Sequence, residues 1–241
     1  MKVVDLFAGC GGMSLGFARQ RFNVVGAFEF WKPAADCYRA NFDHPVSDVD
    51  LSNVALAVEA VGAFAPDVIV GGPPCQDFSE AGDRVEGERA ELTKCFAQIV
   101  YEVRPHYFIM ENVPAAQKSN AYSNAREIFK KAKYKLTEIV IDASLCGVPQ
   151  RRKRFFCIGS LNHKKGFLTK MLLARQNDLP MTVREYLKEE IPLEYYYRHP
   201  RTYGRRAIFS VDEPAPTIRG INRPMPSTYE KHKGDVADPK E

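Results

Sequence analysis

Apolar positions recur along the first two thirds of the chain in two alternating rhythms. Runs dominated by apolar residues at 3–7, 24–29, 67–70, 106–110, 136–141 and 154–159 read as strands. Between them, apolar residues spaced three and four apart predict helices over 13–20, 33–41, 52–62, 92–103 and 122–132. Pro33 suits the first turn of its helix, where a missing N–H leaves nothing unpaired. Strand and helix alternating with short connections predict an α/β fold, a doubly wound Rossmann-like sheet. Ligands of such sheets bind beyond the carboxyl ends of the strands.

The rhythm stops after Gly159, and no repeat replaces it. The last third of the chain is proline-rich, with a Tyr195-Tyr196-Tyr197 cluster and arginines at 198, 201, 205, 206, 219 and 223 among aromatics. The expected division is an α/β domain over 1–160 and a loop-rich second domain over 161–241.

Charge sharpens this division. Residues 1–150 carry 15 Lys+Arg and 19 Asp+Glu, a net of −4, whereas 151–241 carry 19 and 11, a net of +8. A basic last third on an acidic body points to a nucleic-acid face, against the plain alternative of a solvated surface. No apolar run approaches the roughly 18 residues of a membrane span, and the N-terminus lacks a signal-peptide layout, so a cytoplasmic setting is expected. The six cysteines, at 10, 37, 75, 95, 146 and 157, have neither zinc-ligand nor disulfide-framework spacing. No metal is expected, and all but one should be buried small apolar residues.

The exception is Cys75. It ends the stretch PDVIVGGPPC, where an apolar strand breaks at Gly71-Gly72 and two prolines stiffen the turn. A thiol so directed suits a nucleophile. Glu111 ends the next strand, in FIMENVP, and Gln150, Arg152 and Arg154 open a later one, in GVPQRRKRFF. Cys75, Glu111 and the arginine pair are expected to converge on one cleft, with the arginines favouring the thiolate. The first strand turn, DLFAGCGG, offers Gly9, Gly11 and Gly12 at a helix N-terminus. Glu29 ends the second strand, where an acid can hold ribose hydroxyls, and Phe30 and Trp31 beside it could stack on a base.

These stretches, in this order, resemble the C5-cytosine DNA methyltransferases. The resemblance rests on DLFAGCGG, Glu29, Asp48-Val49, GGPPCQDFSEAG, RAELT, ENV and QRRKR, and covers residues 3–156. It implies the S-adenosylmethionine (AdoMet) version of the doubly wound sheet with a separate target-recognition domain. Phe7, the Gly9–Gly12 turn, Glu29, Phe30, Asp48, Val49, Pro74 and Leu92 would form the AdoMet site. Trp31 departs from the Asp that the family often has there. Cys75 would attack cytosine C6, Glu111 would bind N3 and the exocyclic amine, Arg154 would hold O2, and Arg152 would support the active-site loop. Contacts to double-stranded DNA would come from Gln76, Ser79 and Arg84 in a loop that closes over it, from Gln150, and from Arg198, Arg201, Arg205 and Arg206. The activity implied is that of a bacterial restriction–modification enzyme.

Two later family motifs are not found: an RxLTxRExARLQ-like helix and a final helix with a Gly-Asn pair. EPAPTIRGINRP, at 213–224, resembles the stretch that precedes the first of them. The expectation is the larger subunit of a split enzyme, or a truncated member, that methylates poorly until a small second polypeptide supplies those helices. The competing readings are a tRNA cytosine-5 methyltransferase, whose Cys-Phe-Thr stretch is not found, and a DNA-binding regulator, which would not need Cys75, Glu111 and Arg154 together.

Overall fold

The computed structural model describes residues 1–74, 88–188, 192–200, 205–218 and 223–238. These form two compact units, one of Met1–Val140 with Arg154–Lys170, the other of Ile141–Lys153 with Met171–Glu241. Residues 141–153 therefore group with the second unit and 161–170 with the first.

The chain opens with β1 (Lys2–Leu6), α1 (Gly12–Arg19), β2 (Asn23–Phe28), α2 (Lys32–Arg39), β3 (Val46–Ser47), α3 (Val54–Gly62) and β4 (Val68–Gly71). It continues with α4 (Glu88–Val103), β5 (Tyr107–Asn112), a 3₁₀ turn, α5 (Asn120–Lys131), β6 (Lys135–Asp142), β7 (Gln150–Arg151) and β8 (Lys153–Ser160). Seven strands make one mixed sheet in the order β3-β2-β1-β4-β5-β8-β6, the doubly wound α/β arrangement that the periodicity predicts.

Burial explains why the apolar runs became strands. All four residues of β4 are buried, as befits a central strand covered on both faces. Beneath α4 and α5 lies an aromatic cluster in which the Phe108 and Phe129 rings stack at 4.1 Å and Tyr134 meets Phe108 edge-on at 5.0 Å. Gly71 is required where β4 passes β1, because a Cβ there would stand 2.6 Å from the Leu6 carbonyl oxygen and 2.8 Å from the Phe96 ring. Asn53 caps α3 by accepting the Leu56 N–H, and Ser119 caps α5 through the Tyr122 N–H.

The second unit contains α6 from Met171 onward (the helix spans Thr169–Ala174), α7 (Val183–Leu187), β9 (Tyr195–Tyr197), β10 (Ile208–Ser210) and β11 (Ala215–Pro216). β10 pairs antiparallel with β9, and β11 pairs parallel with β7. A capping box of Thr182 and Glu185 starts α7. Asp235 ties the unit together, its two carboxylate oxygens accepting the Ala207, Ile208 and His232 N–H groups and the Tyr229 hydroxyl at 2.7–2.9 Å.

The cysteines correct one expectation. Cys95 and Cys157 are buried, but Cys10, Cys37 and Cys146 are exposed. Residue type alone favours burial, and their places at a turn, on the outer side of a helix and at a 3₁₀ end override it. Among the described residues no helix is long and apolar enough to cross a membrane.

Candidate active site

The sheet delivers its unusual residues to one edge. β1, β2, β4 and β5 run parallel, so Phe7, Glu29, Gly72 and Glu111 follow or end strands on the same side. β8 runs antiparallel to β5, with Phe156 opposite Glu111 and Phe155 opposite Asn112. Its beginning, not its end, therefore reaches that edge, and this brings Arg154 beside Glu111. Arg154 Nε lies 2.8 Å from Glu111 Oε1 in an ion pair, with both side chains about one-fifth exposed (21% and 24%). The other oxygen, Oε2, faces Gly72, where an added Cβ would stand 3.4 Å away.

A cavity of about 550 Å³ opens at the same edge, lined by Phe7, Phe28, Glu29, Phe30, Trp31, Asp50, Leu51, Gly72, Pro74 and Leu92. Glu29 is set by two backbone donors: Oε2 accepts the Gly9 N–H at 2.8 Å and Oε1 the Trp31 N–H at 2.7 Å. Each oxygen keeps a second lone pair, so the carboxylate can still accept hydroxyls from a ligand. Phe30 and Trp31 stand 68% and 67% exposed, an unusual state for such rings and one that offers stacking surface. Phe7 adopts a left-handed conformation, φ 55°. For a bulky residue this costs on the order of 1–3 kcal/mol, a strain concentrated at functional sites.

Beneath the Gly-rich turn lies a buried polar chain. Asp5 Oδ2 accepts the Ser14 hydroxyl at 2.7 Å and the Ser14 N–H at 3.2 Å. The Tyr38 hydroxyl donates to Ser14 Oγ at 2.7 Å and lies 2.6 Å from His44 Nε2. Burial pushes the Asp5 carboxyl up to about 7, against the two Ser14 hydrogen bonds, and the Glu29 charge adds to the rise. The same burial raises Tyr38 to about 12 and lowers His44.

Of the residues singled out from sequence, Phe7, Glu29, Phe30, Pro74 and Leu92 meet around the cavity. Gly9, Gly11 and Gly12 form the turn beside it, and Gly11 (φ 90°) caps α1. Asp48 is exposed and Val49 packs on the core, while the cavity wall is made by Asp50 and Leu51. Gln150 pairs with Ala215, and the Arg152 N–H donates to Asp142, both within the second unit. Arg198 donates to the Thr217 carbonyl, and Arg206 pairs with Glu213 while lying over the Phe209 ring at 4.3 Å. Arg205 is exposed. Cys75, Gln76, Ser79, Arg84 and Arg201 lie outside the described residues.

Asn112, to which the sequence assigns no role, proves to be a tie. Buried at 2% exposure, it donates from Nδ2 to the Pro73 carbonyl at 3.3 Å and accepts the Val113 N–H at 2.8 Å. The strand end that carries Glu111 thus holds the Pro73-Pro74 turn. Asp5 and Ser14 were likewise silent in the sequence, because their partners are set by the turn's path.

Known proteins place this arrangement. The family of C-5 cytosine-specific DNA methylases matches residues 1–230. Type II methyltransferase M.HgiDI of Herpetosiphon aurantiacus is 51% identical over 239 residues, covering 99% of this chain and 77% of that protein. Type II methyltransferase M.HindV of Haemophilus influenzae is 52% identical over 230 residues, 95% of this chain and 76% of that protein. Among solved structures, a DNA modification methyltransferase encoded within an E. coli prophage superposes with a TM-score of 0.63 at 31% identity, over 83% of this chain and 58% of that one. The S. pombe Dnmt2 methyltransferase, 20% identical, shares the fold with a TM-score of 0.66 over 89% of this chain and 69% of its own. Matched over nearly its whole length, with Glu111 paired to Arg154 beside an acid-cornered cavity, the chain belongs to the C-5 cytosine-specific DNA methylase family.

Proposed function

We propose that the chain is a DNA (cytosine-5) methyltransferase that uses AdoMet and acts through a covalent adduct of Cys75 with cytosine C6. The observation that carries this reading is the Glu111–Arg154 pair at the sheet edge that also opens into the cavity. The cavity residues fit AdoMet by their chemistry. Glu29 retains acceptor capacity for ribose hydroxyls, Phe30 and Trp31 offer faces for an adenine, and Pro74 and Leu92 supply apolar wall. When bound, AdoMet supplies a methyl group made electrophilic by its sulfonium.

Cytosine C5 is a weak nucleophile, so the protein must enrich it. Cys75 adds as thiolate to C6, and the electron pair released from the C5–C6 bond is shared between C5 and the N3 side of the ring. Glu111 holds N3 and the exocyclic amine, where that charge develops. Arg154 fixes the Glu111 carboxyl and reaches cytosine O2. After C5 has accepted the methyl group it loses its proton, and the Cys75–C6 bond breaks to restore the aromatic ring. A cytosine stacked in a duplex is out of reach of such a site, so the base is flipped out. Asn112, tied to the Pro73 carbonyl, holds the turn that leads to Cys75.

Transfer of labelled methyl from AdoMet to duplex DNA, with tRNA as the competing substrate, tests the reading. The expected result is label at C5 of cytosine in DNA, none with Cys75→Ser, and AdoMet binding kept in that variant. Trapping of Cys75 on DNA containing 5-fluorocytosine reads the adduct directly. Label in tRNA alone, or full activity of Cys75→Ser, refutes it. The same assay with and without a polypeptide carrying the family's organising and terminal helices tests the expected second subunit.

A further inference from the structure

Two carboxylates pin the Gly-rich turn, one at each end. Glu29 Oε2 accepts the Gly9 N–H, and Asp5 Oδ2 accepts the Ser14 N–H and hydroxyl at the start of α1. Between them Phe7, two residues after Asp5, lines the cavity together with Glu29. Asp5 is fully buried, yet both of its donors come from Ser14 and reach one oxygen. The other, Oδ1, is buried and has no hydrogen-bond partner among the described residues. A carboxylate oxygen so placed disfavours the anion, and the Glu29 charge adds to that.

The hydroxyls above Asp5 are ordered in one direction. Ser14 O–H donates to Asp5 and Tyr38 O–H to Ser14. Tyr38 has a single proton to give, so across 2.6 Å it is His44 Nε2 that donates to Tyr38. Asp5, Ser14 and Tyr38 are fully buried and His44 is half-buried, so the row leads from the core toward solvent.

We propose that Asp5 is a specificity residue for the cofactor, a role that rests on the cofactor reading above: its anion favours the sulfonium of AdoMet over the uncharged sulfur of the product, S-adenosylhomocysteine, and the proton it gives up on binding leaves through Ser14, Tyr38 and His44. In the neutral acid the row points outward, from Asp5 O–H to Ser14, Tyr38 and His44 Nε2. When a cation enters the cavity, Asp5 passes its proton to Ser14, Ser14 to Tyr38, and Tyr38 to His44 Nε2. His44 releases one from Nδ1 to water. One proton leaves Asp5 and one enters solvent, and the row ends in the order seen in the structure.

Burial pushes Asp5 up to about 7 and lowers His44, so near neutral pH the acid exchanges its proton while His44 is a neutral relay. The other titratable groups around the row are Glu29 at the end of β2, Cys10 in the turn, Cys37 on α2 and Asp43 beside His44. Ala27 and Val70, opposite Asp5 on β2 and β4, bring none. A cation favours the Asp5 anion, so AdoMet should bind more tightly as pH rises through about 7.

Calorimetry of the full chain with AdoMet and with S-adenosylhomocysteine, at about pH 6 and 8 and in buffers of different ionisation heat, tests this. A coupling of about tenfold makes AdoMet affinity in the parent rise about fivefold between these pH values, and releases about 0.4 proton at neutral pH, beyond what Asp5→Asn shows with the same ligand. The ligand's own amine titrates alike in both proteins and cancels. With S-adenosylhomocysteine, parent and variant should share one pH profile. A merely structural Asp5 would weaken both ligands equally at every pH. In the parent alone, the carbon-13 resonance of the Asp5 carboxyl should titrate near neutral pH and shift to lower pH with AdoMet only. Equal AdoMet profiles in parent and Asp5→Asn, or an Asp5 resonance that the two ligands move alike, overturn the specificity. Tyr38→Phe should slow proton release about tenfold in stopped flow with a pH dye, and release at the parental rate overturns the path. A chain that binds neither ligand refutes the cofactor reading and the specificity with it, whereas binding without the difference in profile overturns the specificity alone.

Discussion

The two units are held by different forces. In the first, Leu6, Ile69, Phe96, Phe108, Phe129 and Phe155 are fully buried around the sheet. In the second, the buried apolar set among the described residues is small: Ala207, Ile208, Val211 and Tyr229. Carboxylates supply many of the ties there. Asp235 accepts four donors, Glu213 holds Arg151, Arg206 and the Ser210 N–H, and Arg184 bridges Glu194 and Asp212. A body stabilised by apolar burial can spare its acids for ligands. A body tied by its acids cannot.

The largest expected effect tests the apolar half. Phe108→Ala empties the centre of the aromatic cluster and should cost about 3–5 kcal/mol of global stability, read from denaturant unfolding. A loss below about 1 kcal/mol would show that the cluster does not carry the first unit.

Glu29→Ala should separate binding from folding. Removing an acceptor that would serve both the ligand and the Gly9 turn should weaken AdoMet binding about a hundredfold, some 2.7 kcal/mol. The unfolding midpoint should move far less than in Phe108→Ala. Equal shifts in the two variants would break the comparison, because Glu29 would then be structural in the way that Asp235 is.

In the second unit an acid should behave oppositely. Asp235→Ala leaves the Ala207, Ile208 and His232 N–H groups without their acceptor. Hydrogen exchange at these amides should quicken about thirtyfold, the equivalent of about 2 kcal/mol of local stability. Amides of β1, β4 and β5 should keep their protection. Unchanged exchange at Ala207 and Ile208 would mean that apolar packing, not the carboxylate, holds this unit.

The same difference decides what could be read in the sequence. β1, β2, β4, β5 and β8 are apolar because both faces of a central sheet are buried, and such runs stand out. β3, β7 and β11 have two residues each and β9 and β10 three, too few for any period to appear. Residues 141–153 lie between two legible strands, and nothing in their composition separates them from the first unit. Within the site, Glu29, Phe30 and Pro74 were legible because they sit at strand ends. Asp50 and Leu51 were not, since the loop after a two-residue strand has no pattern to set its register. Asn112 was visible in ENV, but its tie to Pro73 spans 39 residues. The exposure of Cys10 and Cys37 depends on a turn and a helix face that residue type does not reveal.

The smallest expected effect contrasts two acids by sign. Burial pushes the Asp5 carboxyl up to about 7, whereas at Asp235 burial raises the carboxyl and the backbone and tyrosine donors overcome it, leaving it lowered. A raised acid binds more protons folded than unfolded, so the Asp5 contribution is complete below its unfolded value, 3.8, and is lost as pH rises through about 7. The Asp235 contribution is present above its unfolded value and is lost as pH falls through its lowered one. Between about pH 6 and 7 the first unit should therefore lose about 1 kcal/mol from Asp5 while Asp235 contributes no slope. His44, joined to Asp5 through Tyr38 and Ser14, is lowered by burial and slopes the other way in this window. The difference between the parent and Asp5→Asn isolates Asp5. Unfolding free energies measured at both pH values should converge in the variant toward the His44 slope alone. A variant that keeps the parent's slope would show that Asp5 is ionised in the fold, and would remove the opposition of sign between the two units.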